Sequence, residues 1–228
     1  MPLEGLRILD LGCNAGYNVF DALELGAREA VGLELRGRFL QMAREEKERG
    51  GFTGASFQEA DARYVDSLGL GKFDVCLCTG LLYHMQNPFN LLKRIRNVCS
   101  VLALETQIAP PWWAYWLAET KYRCYLSKHK VTEVLDGETF TGRENIFPVQ
   151  QDMDATSGSV VSHRTFWLDN PSLKKALDLA GFDIEAYYCG SNPSGKPPVL
   201  MHHGWRRAKV FVLARVREPD REIRVAPL

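Results

Sequence analysis

Neither sign of charge dominates this chain: lysine plus arginine and aspartate plus glutamate both total 28. That balance removes any global pull toward nucleic acid, membrane or an acidic partner and leaves only local patches. No apolar run reaches membrane-spanning length, and the opening residues, MPLEGLRIL, hold neither a basic n-region nor a long apolar h-region. The expectation is a cytoplasmic protein that makes no membrane contact. Cysteine is present, but not in metal-binding form. The six residues, Cys13, Cys76, Cys78, Cys99, Cys124 and Cys189, lie mostly inside apolar runs without the paired spacing of a zinc site. They read as reduced core thiols. The pairs Asp152/Asp154 and His202/His203 are loop neighbours, poor as ligand sets, and no metal is expected. Internal repeats are lacking, and 228 residues suit one α/β domain with an insertion.

What is present begins with ILDLGCNAGY, Ile8 to Tyr17, followed by VGLEL with its carboxylate at Glu34. An apolar strand running into a glycine-containing turn and a helix, with an acid closing the next strand, is how an α/β domain grips a ribose-bearing cofactor. The turn is expected to present backbone N–H groups to an anion, and Glu34 to accept both ribose hydroxyls. Strand and helix signals then alternate through the first hundred residues, the pattern of a parallel sheet with helices on both faces. Strands are expected at Arg7–Leu11, Ala30–Leu35, Ala55–Glu59, Phe73–Thr79 and Ser100–Thr106. The helix from Tyr17 should bury Phe20 and Leu23. The helix over Arg38–Arg49 should bury Phe39, Met42 and Ala43. Asn87 and Pro88 open another helix as cap and first helical residue.

From Gln107 to Thr165 the alternation fails, through PPWWAYW, YRCY and FTGRENIFP. Nearly sixty residues of this kind exceed a plain connection and read as an inserted substrate cap. Regularity returns with a helix opened by Asn170 and Pro171, a strand from Phe182 and a last strand over Ala208–Val216. The organisation expected is therefore residues 1–106 as the cofactor-binding half, 107–165 as the cap, 166–217 as the remainder of the domain, and 218–228 as a tail.

The order of these motifs resembles the class I S-adenosylmethionine-dependent methyltransferases over nearly the whole chain. That resemblance implies a doubly wound, mostly parallel seven-stranded sheet of the Rossmann-like kind. It places the glycine-rich first motif on Asp10, Gly12, Cys13, Asn14 and Gly16, with asparagine where the family has its middle glycine. The ribose acid maps onto Glu34 and the adenine-contacting acid onto Asp61 in EADA, with Ala62 beside it. Thr79 and Gly80, at the end of strand four, complete the cofactor set. The stretch FDVCLCTGLLYHMQNPFNLLKRI narrows the resemblance to enzymes that carboxymethylate the wobble uridine of tRNA. In that family the tyrosine of Leu-Tyr-His, here Tyr83, helps hold the carboxylate of carboxy-S-adenosylmethionine. An arginine from the insertion assists, for which Arg164 is the candidate, as does a lysine of an N-terminal domain that has no counterpart in these residues.

Methyl transfer is an in-line displacement at a sulfonium, so the protein mainly aligns the acceptor, and an alcohol or amine acceptor must lose a proton. By residue type and place, Tyr83, His84 and His163 are the candidates for that chemistry. Tyr83, Arg164 and Trp113 are the candidates for acceptor binding, although most of the insertion's aromatics suit a small core. The main expectation is methyl transfer from S-adenosylmethionine, rather than its carboxylated form, to a hydroxyl or amine of a small molecule. One alternative is a tRNA base methyl- or carboxymethyltransferase; another is a non-catalytic binding subunit of the same fold. With so short a lead into strand one, the acceptor site should be open, or covered by the insertion or by a second subunit of an oligomer.

Overall fold

The computed structural model describes residues 3–111, 126–146, 163–189 and 209–218. Its frame is a seven-stranded sheet in the order β3-β2-β1-β4-β5-β10-β9. The strands are β1 (Arg7–Leu11), β2 (Glu29–Glu34), β3 (Ala55–Glu59), β4 (Phe73–Thr79), β5 (Cys99–Gln107), β9 (Phe182–Cys189) and β10 (Lys209–Val216). The first five run parallel, and β10 enters antiparallel between β5 and β9. This is the mostly parallel, doubly wound sheet that the alternating signals imply.

Both faces of the central strands are apolar, as a sheet covered on two sides requires. On one face Leu9, Leu11, Leu33, Cys76, Cys78, Leu102 and Leu104 join α3 (Pro88–Arg96) and α4 (Asn170–Leu179) in the larger core. On the other, Ile8, Ala30, Val75 and Val101 pack with α1 (Tyr17–Glu24). Two helical details depart from the pattern read from sequence. In α2 (Gly37–Gly50) the buried residues are Phe39, Leu40 and Ala43, while Met42 is exposed; in α1 they are Val19, Phe20 and Ala22, with Leu23 only half-buried. Each helix lies against its strands rotated by about one residue from the stripe of largest side chains. Asn87 caps α3 as expected, accepting from the Asn90 N–H at 2.9 Å. Helix α4 starts at Asn170, as read, and its cap is Asp169, which accepts from the Ser172 N–H at 3.0 Å.

The described part of the insertion is not irregular. It forms a second, antiparallel sheet of β6 (Val131–Leu135), β7 (Glu138–Ile146) and β8 (Arg164–Leu168), so β8 continues past Thr165. Phe140, Phe166 and Leu168 turn one face into the main core, and Phe140 stacks on Phe89 of α3 at 5.1 Å between centroids. Two backbone bonds fix the sheet at the carboxyl end of β4: Phe166 N–H donates to the Met85 carbonyl, and Ala109 N–H to the Leu168 carbonyl, both at 2.9 Å. Cys13, Cys76, Cys78 and Cys99 are buried free thiols. Among the described residues no helix is long and apolar enough to cross a membrane.

Candidate active site

The central sheet reverses its strand order between β1 and β4, and the loops beyond their carboxyl ends carry the candidate residues, as expected of an open α/β sheet. The turn after β1 is tight. Gly12 has φ +70 and Asn14 φ +52, the left-handed region that asparagine tolerates better than most side chains. Gly16 caps α1 with φ +86, and a Cβ there would lie 2.8 Å from the Phe57 ring.

The turn does not present its N–H groups to an anion. Those of Gly12 and Cys13 donate to the Leu33 carbonyl, and that of Gly16 to the Cys13 carbonyl. The Asn14 N–H donates to Glu34 Oε2, and the Ala15 N–H to Asn14 Oδ1. A diphosphate would need those donors, so the expectation of an anion cradle in this turn is corrected. The Cys13 thiol is buried, and burial pushes its ionisation upward, so it is inert packing against Gly32.

Asp10, the last acid of β1's run, is 1% exposed. Asn18 Nδ2 donates to its Oδ1 at 3.5 Å and to Thr79 Oγ1 at 3.0 Å, tying the ends of β1 and β4 together through the first turn of α1. Asp10 Oδ2 is buried with no hydrogen-bond partner among the described residues. Burial pushes the carboxyl up to about 7, Asn18 opposes that, and the nearby Glu34 charge adds to it. A buried carboxylate oxygen without a partner is repelled by phosphate and satisfied by an ammonium or sulfonium, which is the charge of an S-adenosylmethionine-type cofactor. The residues therefore fit that group. Asn18 was not read from sequence; its signal was an amide in the first turn of a helix otherwise chosen for apolar packing.

Glu34 and Asp61, the acids expected to meet ribose and adenine, are both engaged within the chain. Glu34 Oε1 accepts from the Leu35 and Arg36 N–H groups and from Arg36 Nε, and Oε2 from Asn14 N–H and Arg36 Nη2. Burial pushes this carboxyl up, but the side-chain and backbone bonds from Arg36 and the Asn14 N–H outweigh it and hold the carboxyl below its ordinary value. Asp61 accepts from the Arg63 N–H at 2.9 Å and is forked by the Arg63 guanidinium, with Nη2 at 2.6 Å from Oδ2. The acids were not expected to be paired in this way. Ribose or adenine groups would replace an arginine in each pair. The signal was an arginine two positions after each acid, in ELR and DAR. Ala62 is buried at the start of the 3₁₀ turn Ala62–Ser67, and the Gly80 N–H donates to the Glu105 carbonyl at 3.0 Å.

After β4 the chain makes a 3₁₀ turn, Leu82–His84. Leu82 anchors it in the core, and Tyr83 and His84 stand half-buried with ring centroids 4.2 Å apart. Tyr83 meets Trp167 of β8 edge to face at 5.7 Å and packs against Ala109 and Leu126. His84 also lines a cleft of about 290 Å³ with Arg63, Tyr64, Asn87, Asn90 and Arg94. The other two predicted residues of the insertion are not brought here: Arg164 pairs with Glu133 and Glu144 on the second sheet, and His163 is exposed just before β8. Trp113 lies outside the described residues, as do Cys124, the Asp152/Asp154 pair and the His202/His203 pair.

Residues 2–108 match the family described as a methyltransferase domain. A tRNA U34 carboxymethyltransferase of Serratia proteamaculans is 28% identical over 208 residues, covering 82% of this chain and 59% of its own. The Campylobacter hominis enzyme of the same name is 30% identical over 103 residues, 42% of this chain and 33% of its own. The chain thus covers less than two thirds of these curated relatives. Among solved structures, the N-terminal domain of EvdMO1, determined in the presence of SAH and D-fucose, superposes with a TM-score of 0.66 at 25% identity, covering 93% of this chain and 76% of that one. Residues 2–108, on the doubly wound sheet, thus carry a methyltransferase domain, and the chain resembles the S-adenosylmethionine-dependent methyltransferases and, among them, the tRNA U34 carboxymethyltransferases.

Proposed function

We propose that this chain transfers a methyl or carboxymethyl group from an S-adenosylmethionine-type cofactor to a base of tRNA. The observation that carries the reading is the Leu82–His84 turn, which sets Tyr83 and His84 beyond the carboxyl end of β4, beside the strand-order reversal and under the second sheet. The relatives named for tRNA modification support that acceptor over the small molecule expected from sequence.

In this reading Asp10 faces the cofactor's cationic end, and Glu34 and Asp61 take its ribose and adenine. The cofactor supplies an electrophilic carbon on a sulfonium, whose departure needs no acid. The acceptor must be aligned and, for oxygen or nitrogen, deprotonated. Tyr83 aligns it by its ring, and His84 takes the proton. The pairing of Arg164 with Glu133 and Glu144 removes the arginine expected for a cofactor carboxylate, which favours the unsubstituted methyl donor. A hydroxyl of a sugar-like small molecule is the second reading, supported by the neighbour solved in the presence of D-fucose.

The test is to incubate the purified chain with undermodified tRNA and either cofactor, then digest the tRNA to nucleosides for mass spectrometry. A single nucleoside gaining a methyl or carboxymethyl mass is expected. Cofactor binding without any change in the tRNA would move the acceptor to small hydroxyl compounds.

A further inference from the structure

The cleft beside His84 has no part in the transfer as proposed. Its volume of about 290 Å³ lies at the lower end of small-molecule pockets, room for one ring system rather than a helix or a duplex. Asp10, Glu34 and Asp61 do not line it, so it is not the place those acids define for the cofactor. His84 forms its wall on the acceptor side, with its ring centroid 4.2 Å from that of Tyr83.

An aromatic ring and a set of donors line this cleft. Tyr64 lies in the 3₁₀ turn Ala62–Ser67, where its φ −119 and ψ 21 break the helical run, and it is 51% exposed. The guanidinium carbons of Arg63 and Arg94 stand 5.8 and 5.5 Å from its ring centroid. Each arginine is held in place by a carboxylate, Arg63 by Asp61 and Arg94 by Asp66, both at 2.6 Å. Arg94 Nε also donates to Asn90 Oδ1 at 2.9 Å. These bonds leave Arg63 Nη1 and Arg94 Nη2 without an acceptor among the described residues. The amides of Asn87 and Asn90 donate to Asp136, which also pairs with Lys93. Arg63, Arg94 and Lys93 thus each meet a carboxylate, and no surplus charge selects a phosphate. What remains is an aromatic face and unspent guanidinium N–H groups.

We infer that this cleft holds one nucleobase beside the acceptor, stacked on the Tyr64 ring, with Arg63 and Arg94 donating to oxygen or nitrogen on its edge. Every base offers a π-face, and an exposed aromatic flanked by arginines is a platform on which single-stranded nucleotides stack. Two guanidinium donors without acceptors favour a base edge rich in acceptors, such as the O6/N7 edge of guanine. The occupant is the nucleotide next to the modified one, or the base of a free nucleotide. For the acceptor's place this rests on the tRNA-base reading. It adds to that reading a contact remote from the reacting atoms, of the kind whose binding energy aligns an acceptor.

Two variants test this: Tyr64→Leu, which removes the π-face, and Tyr64→Phe, which keeps it. With S-adenosylhomocysteine saturating the cofactor site, each chain is titrated with labelled tRNA by anisotropy and with guanosine monophosphate by calorimetry. We expect Tyr64→Leu to weaken binding by about fivefold to a hundredfold, and Tyr64→Phe to leave it nearly unchanged. The melting temperature and the affinity for S-adenosylhomocysteine should hold in both, because about half of Tyr64 is already in water. A loss seen with tRNA assigns the cleft to an RNA residue. A loss seen with guanosine monophosphate alone, in a chain that modifies no tRNA, assigns it to a free nucleotide: the tRNA reading then fails and the cleft stands. Equal affinity in all three chains, or no binding of either probe, overturns the inference, while tRNA modification, measured separately, decides the reading. A loss shared by Tyr64→Phe and accompanied by a lower melting temperature overturns it as well, by giving Tyr64 a structural role. So does guanosine monophosphate that binds only without S-adenosylhomocysteine, since it then occupies the cofactor's own site.

Discussion

Asp10 makes the site sensitive to pH, and the sign follows from its environment. Burial raises its carboxyl to about 7, so the proton is favourable to the cofactor-free fold: that stabilisation is complete below the ordinary carboxyl value and is lost as pH rises through about 7. A cationic cofactor prefers the ionised form. Cofactor affinity should therefore strengthen as pH rises toward 7 and level off above it, while cofactor-free stability declines over the same interval. Calorimetric titration between about pH 5.5 and 8.5 measures the first, and Asp10→Asn should flatten the profile. A flat profile in the unchanged chain would mean that Asp10 does not face the cation. Glu34 supports a second test at this scale. Because a buried hydrogen bond to a charged group is worth about 1.5–3 kcal/mol, Glu34→Gln should raise the cofactor Kd by at least roughly tenfold. Arg36 would then hold a neutral amide, so some of the loss will also appear as a lower melting temperature. Glu34 and Asp61 were both legible in the sequence, as carboxylates at or just past a strand end at the expected spacing. Their arginine partners were not, because a residue two positions along shows proximity but not which way its side chain folds back.

At the scale of elements, two joints hold the site in shape. Gly16 starts α1 in a conformation that costs other residues about 1–3 kcal/mol, and any Cβ would press on Phe57 at 2.8 Å. Gly16→Ala should lower the melting temperature by roughly 5–10 °C, and Phe57→Leu in the same chain should recover part of it. The other joint is Asp169, which caps α4 and ties it to the second sheet: Oδ2 accepts from Lys130 Nζ and from Thr141 Oγ1, both at 2.7 Å. Burial pushes this carboxyl up, but the bonds from Lys130, Thr141 and Ser172 prevail and hold it low. Its stabilisation is therefore present above the ordinary carboxyl value and lost as pH falls below it. Asp169→Ala should cost about 2–3 kcal/mol at neutral pH, and the gap between the two melting curves should narrow toward pH 3. The strands of the main sheet could be read because their apolar runs end at glycines or acids; the bounds of β1, β3 and β4 match the sequence pattern residue for residue. The second sheet could not. In β7 the buried face carries Arg143 and Asn145, so burial and hydropathy do not coincide, and the alternation that signals a strand is blurred.

For the whole molecule, zero net charge constrains the proposed tRNA reading. The basic side chains that the structure describes are largely matched within the chain: Arg7 with Glu29, Arg49 with Glu46, Arg94 with Asp66, Arg215 with Glu185, and Arg217 with Asp178 and Asp183. Exposed pairs of this kind add little stability, but they cancel the field that would draw in a polyanion. On that reading, such a surface would release few counterions from the RNA backbone. Each phosphate neutralised contributes about 0.7–0.9 to the slope of log affinity against log salt. Contact with roughly two phosphates then predicts a loss of about tenfold in tRNA affinity between 50 and 200 mM salt. Fluorescence anisotropy of a labelled tRNA, titrated with the chain in the presence of S-adenosylhomocysteine, measures the slope. A loss of about a thousandfold over that range would show an extended phosphate track. Backbone contacts rather than a shaped site for one base would then carry the binding.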